Sequence, residues 1–368
     1  MLVSFLAKIK DHRRDQGKRY KLEHILFCSI LAILSGATSY RKIEAFITTH
    51  YDTLNALLGL KWKRMPAYTT VRDIIQGTAP EEVESSFRAH SAQLAQGDER
   101  KRWLAFDGKV LRGSFDHFKD QKAVQVLTAY LTDSKIILAH EEIAVKSNEI
   151  PAAREMIISL GLSGYIFTLD ALHCQEETLR TAKETGNDVI VQVKANQPTL
   201  LHDCQTIATT QSADAVYQEP LVKARNRVES RRVRVFLSPA FTHADKWDTV
   251  EAVVQVERYR RVFDTQSKSW QDSDETALYI STISLQAQPF CQAIRGHWGI
   301  ENCNHHVRDV SLGEDKSRIR TNPHIFARLR SFALNILRRN NVDNVSLELF
   351  NNCMNINRVL NYAGVLEN

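Results

Sequence analysis

The 368-residue sequence has no Cys-x-x-Cys pair, no apolar run long enough to span a bilayer, and no strong charge of either sign. Its six cysteines stand far apart, at positions 28, 174, 204, 291, 303 and 353. That scatter argues against a zinc knuckle and against a disulfide scaffold, and it suits a reducing, cytoplasmic setting. A membrane-spanning helix needs roughly 18 apolar residues in a row. The longest candidate, residues 25–34, contains Cys28 and Ser29 and runs into Ser35-Gly36, so a buried helix is expected there instead. Lys8 and Lys10 follow a short apolar start, but no apolar core with a small-residue cleavage site comes next, so no signal peptide is expected. A net charge of +5 permits a nucleic-acid partner without demanding one.

What is present fits a globular chain of two or three folding units, with 43% hydrophobic and 25% charged residues. Residues 1–98 read as a helical domain. Leu22, Ile25, Leu26, Ser29, Ile30 and Ile33 repeat at helical spacing, Gly36 is a stop, and a second helix runs from Ser39 through Ile43, Phe46 and Ile47. Helix, glycine turn, helix is the outline of a DNA-binding helix-turn-helix and equally of any small bundle. The flanking stretch from Lys8 to Glu23, with seven Lys/Arg against three Asp/Glu, leans toward DNA.

From residue 99 the pattern changes. Strands are expected at 103–106, 124–131 and 135–144, then a helix capped by Asn148 through Leu160 with Pro151 in its first turn. A strand at 165–169, a helix at 175–184 and a strand at 188–193 follow. Three strands in a meander and then alternating helix and strand is the RNase H-like order, with strands four and five joined by a parallel crossover beside the first. Residues 99–199 and 286–368 are therefore the two parts of an α/β core with a mixed sheet. Residues 200–285 break the rhythm, with strand patterns at 228–236, 250–256 and 277–283, and read as a mainly β insertion. Helices resume near Gln286 and include 325–339.

Three carboxylates stand where this order can gather them. Asp107 closes the run Trp103-Leu-Ala-Phe, Asp170 closes Tyr165-Ile-Phe-Thr-Leu, and Glu301 lies in the helical segment Ile294-Arg-Gly-His-Trp-Gly-Ile-Glu-Asn. An Asp ending a strand is commonly a turn or cap residue, and Glu301 alone reads as a solvated helix residue. Together they are expected to hold two divalent cations, Mg²⁺ or Mn²⁺, because clustered carboxylates repel without one. Lys109, Arg112, Lys194 and Gln197 are strand-edge candidates for phosphate contacts. His297, Glu301, His305 and Arg308 share one helical face, with Ile294 and Trp298 packed in the core on the other. A zinc site on His297 and His305 is disfavoured, since these stand eight apart rather than four. Two basic runs, Lys223–Arg234 (with Arg231 and Arg232) and Lys316 through Arg330, suggest a groove that tracks phosphates.

Several phrases resemble the H-repeat-associated transposases of bacterial insertion sequences. They are Phe106-Asp-Gly-Lys-Val-Leu-Arg-Gly-Ser, Lys146-Ser-Asn-Glu-Ile, Asp170-Ala-Leu-His-Cys-Gln, Val193-Lys-Ala-Asn-Gln, the Glu301 segment, Gly313-Glu-Asp-Lys-Ser-Arg-Ile-Arg and the N-terminal stretch from Leu22 to Phe46. The resemblance runs nearly end to end, in order. It implies a D-D-E transposase with Asp107, Asp170 and Glu301 as catalytic metal ligands. It further implies double-stranded element-end and target DNA as substrate, and a homodimer at least on DNA. It places the protein in a bacterial cytoplasm, on the nucleoid when bound to DNA. After Glu301 the chain departs from the family pattern. Asn304-His-His and Arg308-Asp-Val stand where Leu-His-Trp and Leu-Asp-Val are common, which keeps open an inactive DNA-binding relative of the same fold.

Overall fold

The computed structural model describes residues 1–96, 102–115, 122–143, 149–224 and 226–366. They form two compact units, one of residues 1–99, 108–148 and 299–368, the other of residues 100–107 and 149–298.

The first unit opens with helices α1 (Leu2–Leu6), α2 (Leu22–Leu34), α3 (Tyr40–Thr49), α4 (Tyr51–Leu58), α5 (Tyr68–Gln76) and α6 (Pro80–Leu94). All of α2 is buried except Glu23 and His24, which makes it the centre of a bundle. It stops at Ser35 because Gly36 adopts φ 87°, a left-handed conformation that glycine takes without a Cβ penalty. Ser39 caps α3, its side chain accepting from Lys42 N–H. Strand β1 (Arg102–Val110) begins in the second unit and ends in this one. Next come β2 (Gln125–Leu131) and β3 (Ile136–Ile143), an antiparallel pair with a register shift at Ala129/Tyr130.

The second unit is a sheet with helices on it. Helix α7 (Glu149–Leu160) leads to β4 (Tyr165–Leu169), α8 (Glu176–Glu184) to β5 (Asp188–Val193), and α9 (Pro198–Thr210) follows. Then come β6 (Ala215–Gln218), β7 (Val222–Ala224), β8 (Arg227–Leu237), β9 (Ala252–Asp264), β10 (Ser269–Ser281) and α10 (Ala287–His297). Within this unit the strand order is β1-β4-β5-β10-β9-β8-β6, with β7 also on β8. Strands β1, β4 and β5 are mutually parallel and the others pair antiparallel. The expected parallel crossover of β4 and β5 beside β1 is therefore present. The strands of residues 200–285 extend the same sheet, because β10 pairs with β5.

Helix α9 was not foreseen, although Pro198 at its start and Leu200, Cys204, Ile207 and Ala208 on its buried side carry a helical period. A core cluster joins Trp103, Ile166 and Ile190 to Val233, Val235, Val254, Phe290 and Ile294. Back in the first unit, α11 (His306–Val310), α12 (Pro323–Arg339), α13 (Val345–Met354) and α14 (Ile356–Leu360) complete the chain. Among the described residues no helix is long and apolar enough to cross a membrane. Asn148, expected to cap α7, lies outside the described residues, as do Ala144, Lys146 and Arg225.

Candidate active site

Asp107 and Asp170 occupy equivalent places on neighbouring parallel strands. Ala105 of β1 is in register with Thr168 of β4, and each aspartate follows that pair by two residues. Side chains two apart on a strand share a face, so both carboxylates emerge on the face of Ala105 and Thr168. Apolar neighbours make these strands rigid, with Phe106 packed on Phe167 at a centroid distance of 5.2 Å. Asp170 is half exposed and caps the short turn that follows β4, its Oδ1 accepting from Leu172 N–H at 3.2 Å. Asp107 is less exposed than Asp170.

Two histidines attend these acids. His297, the last residue of α10, sits with Nδ1 3.1 Å from Thr168 Oγ1. Burial holds its imidazole below the ordinary histidine range, against the opposing pull of Asp107 and Asp170. His173 is buried, with Nε2 3.5 Å from Glu149 Oε1 and 3.8 Å from Asp170 Oδ1. Sequence reasoning missed Thr168, Glu149 and His173. Their signal was membership of the quoted phrases, Thr168 in the run before Asp170, His173 in the motif after it and Glu149 in Lys146-Ser-Asn-Glu-Ile.

Glu301 belongs to the first unit. It lies in a π-helical segment, Ile300–His305, where the wider helix changes which side chains align. Glu301 is exposed and its carboxylate is 3.7 Å from His305 Nδ1, whereas His305 and Arg308 are buried. Glu301 therefore differs in exposure from His305 and Arg308, which the expected shared face did not foresee. Trp298 also departs from expectation. It is 52% exposed, while Ile294 is in the core as foreseen.

The structure sorts the basic candidates by burial, since exposed Arg112 and Arg232 also have carboxylates within reach, Asp315 at 3.4 Å and Glu257 at 4.0 Å. Arg308 donates to Glu314 at 2.7 Å, and both are buried. Lys109 is buried too, donating to Asp309 and to the His305 carbonyl, with Glu314 3.6 Å away. Burial opposes a charge on Glu314, but Arg308, Arg330 and Lys109 outweigh it and bring its pKa down to about 2. Arg231 is enclosed between Glu219 and Glu229. All three are buried with carboxylate partners, which opposes the phosphate contacts expected of Lys109 and Arg231. Gln197 is half-buried and donates to the Cys174 carbonyl at 2.9 Å. Arg112, Lys194 and Arg232 are exposed. The groove expected along 316–330 is likewise reduced, since Arg328 is buried against Glu84 and Arg330 near Glu314.

The chain is thus a mixed α/β fold with two aspartates at the ends of adjacent parallel strands. The chain matches the transposase DDE domain over residues 85–337, and the domain described as DDE_Tnp_1-associated over residues 3–91. It is 28% identical over 348 residues to the "H repeat-associated putative transposase YhhI" of Escherichia coli (strain K12), covering 93% of this chain and 91% of that one. The "H repeat-associated putative transposase YbfD" of the same strain is 30% identical over 196 residues, 53% of this chain and 77% of its own. Among solved structures, a piggyBac transposase synaptic complex with hairpin DNA aligns over 97% of this chain and 79% of that one, at 10% identity and a TM-score of 0.41. The chain therefore belongs to the transposases with a DDE domain, in their H-repeat-associated family, and its core is RNase H-like.

Proposed function

We propose that this protein cuts and joins DNA strands at the ends of its own insertion sequence, with Asp107, Asp170 and Glu301 as its catalytic carboxylates. The observation that carries this reading is the equivalent placement of Asp107 and Asp170 on adjacent parallel strands. Membership of a transposase family supports it. Their oxygen donors suit a hard cation such as Mg²⁺ or Mn²⁺ better than zinc. Asp107 and Asp170 would share one ion and Glu301 would hold a second. Two bound ions supply activation of a water or 3′-hydroxyl and stabilisation of the leaving oxygen.

The chain's own residues do the rest. The Leu172 N–H fixes the Asp170 carboxylate, and Thr168 fixes the His297 ring. Arg112, Lys194 and Arg232 hold DNA phosphates, where contacts orient the duplex without reading its sequence. Residues 1–98 and 200–285 grip the DNA around a core formed by 99–199 and 286–368, and two copies assemble on DNA.

The test is Mg²⁺- or Mn²⁺-dependent nicking of the element's own end DNA, wild type beside Glu301→Gln and Asp107→Asn. Cleavage by wild type, lost in both variants while DNA binding persists, is the expected result. Binding without cleavage by wild type would replace this reading with an inactive DNA-binding relative.

A further inference from the structure

The sheet's extension contains a buried ionic cluster that neither the carboxylates nor the DNA contacts use. Glu219, just past β6, is buried, its Oε2 accepting from Arg231 Nη1 at 2.9 Å and its Oε1 accepting from Arg295 Nη1. Its backbone is fixed as well. Its N–H donates to the Arg231 carbonyl at 2.8 Å, and its own carbonyl accepts from Ser230 Oγ at 3.1 Å. Arg231 also faces Glu229 at 3.6 Å, which accepts from Arg258 at 2.8 Å. Arg231 and Arg258 therefore belong to the strands themselves. Arg295 differs, since it reaches in from α10 and its side chain is 45% exposed.

Two residues after Arg295, His297 makes the second tether of α10, on Thr168. That tether lies on the sheet face that carries Asp107 and Asp170. Ahead of both tethers, Phe290 and Ile294 of the helix pack in the apolar cluster with Val233 and Val235. Apolar packing is non-directional, whereas a charge-assisted hydrogen bond fixes both distance and direction.

We infer that Glu219 is a positioning residue, holding the end of α10 through Arg295 so that His297 keeps its place beside Asp107 and Asp170. The strands added to the core sheet are then part of the active-site scaffold as well as a DNA grip. This role in catalysis rests on the strand-cleavage reading above.

Full-length protein carrying Arg295→Met or Arg295→Lys tests it. Glu219→Gln is the poorer choice because it strands buried Arg231 and risks misfolding. The first readout needs no activity: hydrogen exchange across residues 287–297 together with the NMR signals of the His297 ring. Arg295→Met should speed exchange in the last turn of α10 and shift the His297 signals, and Arg295→Lys should restore part of both. The second is single-turnover nicking of element-end DNA against Mg²⁺ concentration. Arg295→Met should lower the rate by roughly ten- to a hundredfold, since a misplacement of about 1 Å near a reacting centre can cost about 10² in rate. The half-saturating Mg²⁺ should rise while DNA affinity and melting temperature stay near wild type. Unchanged exchange and unchanged His297 signals in Arg295→Met would overturn the inference. So would a loss of stability with the nicking rate and Mg²⁺ dependence intact. Failure of wild type to nick would instead strike the proposed function, and the exchange and NMR data would still decide whether the tether exists.

Discussion

Lys109, Arg231 and Arg308 are each enclosed with a carboxylate partner, as Arg328 and Arg330 are. Removing one partner from such a pair strands a buried charge, which costs about 3–5 kcal/mol. Sequence spacing carries no trace of this, because a cation bound for the interior and one bound for phosphate look alike. Buried histidines make a second claim at this scale. Burial lowers the pKa of His90 to about 4, and burial does the same to His140 against the opposing pull of Glu84. In the unfolded chain each titrates near 6.5, so as pH falls from about 6.5 to about 4 the unfolded state binds protons that the folded state refuses. Stability is therefore present above that window and lost through it, by up to about 1.4 kcal/mol per pH unit for each histidine. The melting temperature should drop between pH 7.5 and 5, and drop less in His90→Gln. Equal slopes for the two proteins would rule out His90 as a source.

Elements were legible where one periodicity governed them. The boundaries of β4 and β5, the start of α10 after Gln286 and the stop of α2 before Gly36 all follow from local pattern. Helix α12 shows where that ends. Every one of its residues from Pro323 to Arg338 is buried, including Arg328, Arg330 and Arg338, so its amphipathic sequence has no solvent face to match. Its charged side pairs with Glu84, Glu314 and the Cys303 carbonyl instead. The same helix closes the edge of β3. Asn335 accepts from Ile137 N–H at 2.9 Å and donates to the Ile137 carbonyl at 2.8 Å, replacing a neighbouring strand. Asn335→Leu should leave both backbone groups buried and unpaired, costing about 2–6 kcal/mol at about 1–3 kcal/mol per group. Urea unfolding would measure it, and a change under about 1 kcal/mol would show that the edge finds other partners.

For the whole molecule, the modest net charge of +5 conceals how much of the positive charge is internal. DNA affinity should depend on the exposed cations. A plot of log affinity against log salt should flatten by about one unit for each of Lys194→Ala and Arg232→Ala, the amount expected when one phosphate contact is lost. Lys194→Ala and Arg232→Ala with wild-type slopes would place the DNA path elsewhere.

The sequence by itself determined the strand and helix order of residues 103–193, the α/β class, the family and the three carboxylates worth testing. Those follow from periodicity, turn residues and long motifs, all written locally along the chain. Only the tertiary structure decided that Trp298 faces outward, that β10 joins β5, that Glu219 binds Arg295, and which basic residues are enclosed. Each of these depends on partners far apart in sequence, and burial is a property of the packed whole that no local pattern encodes.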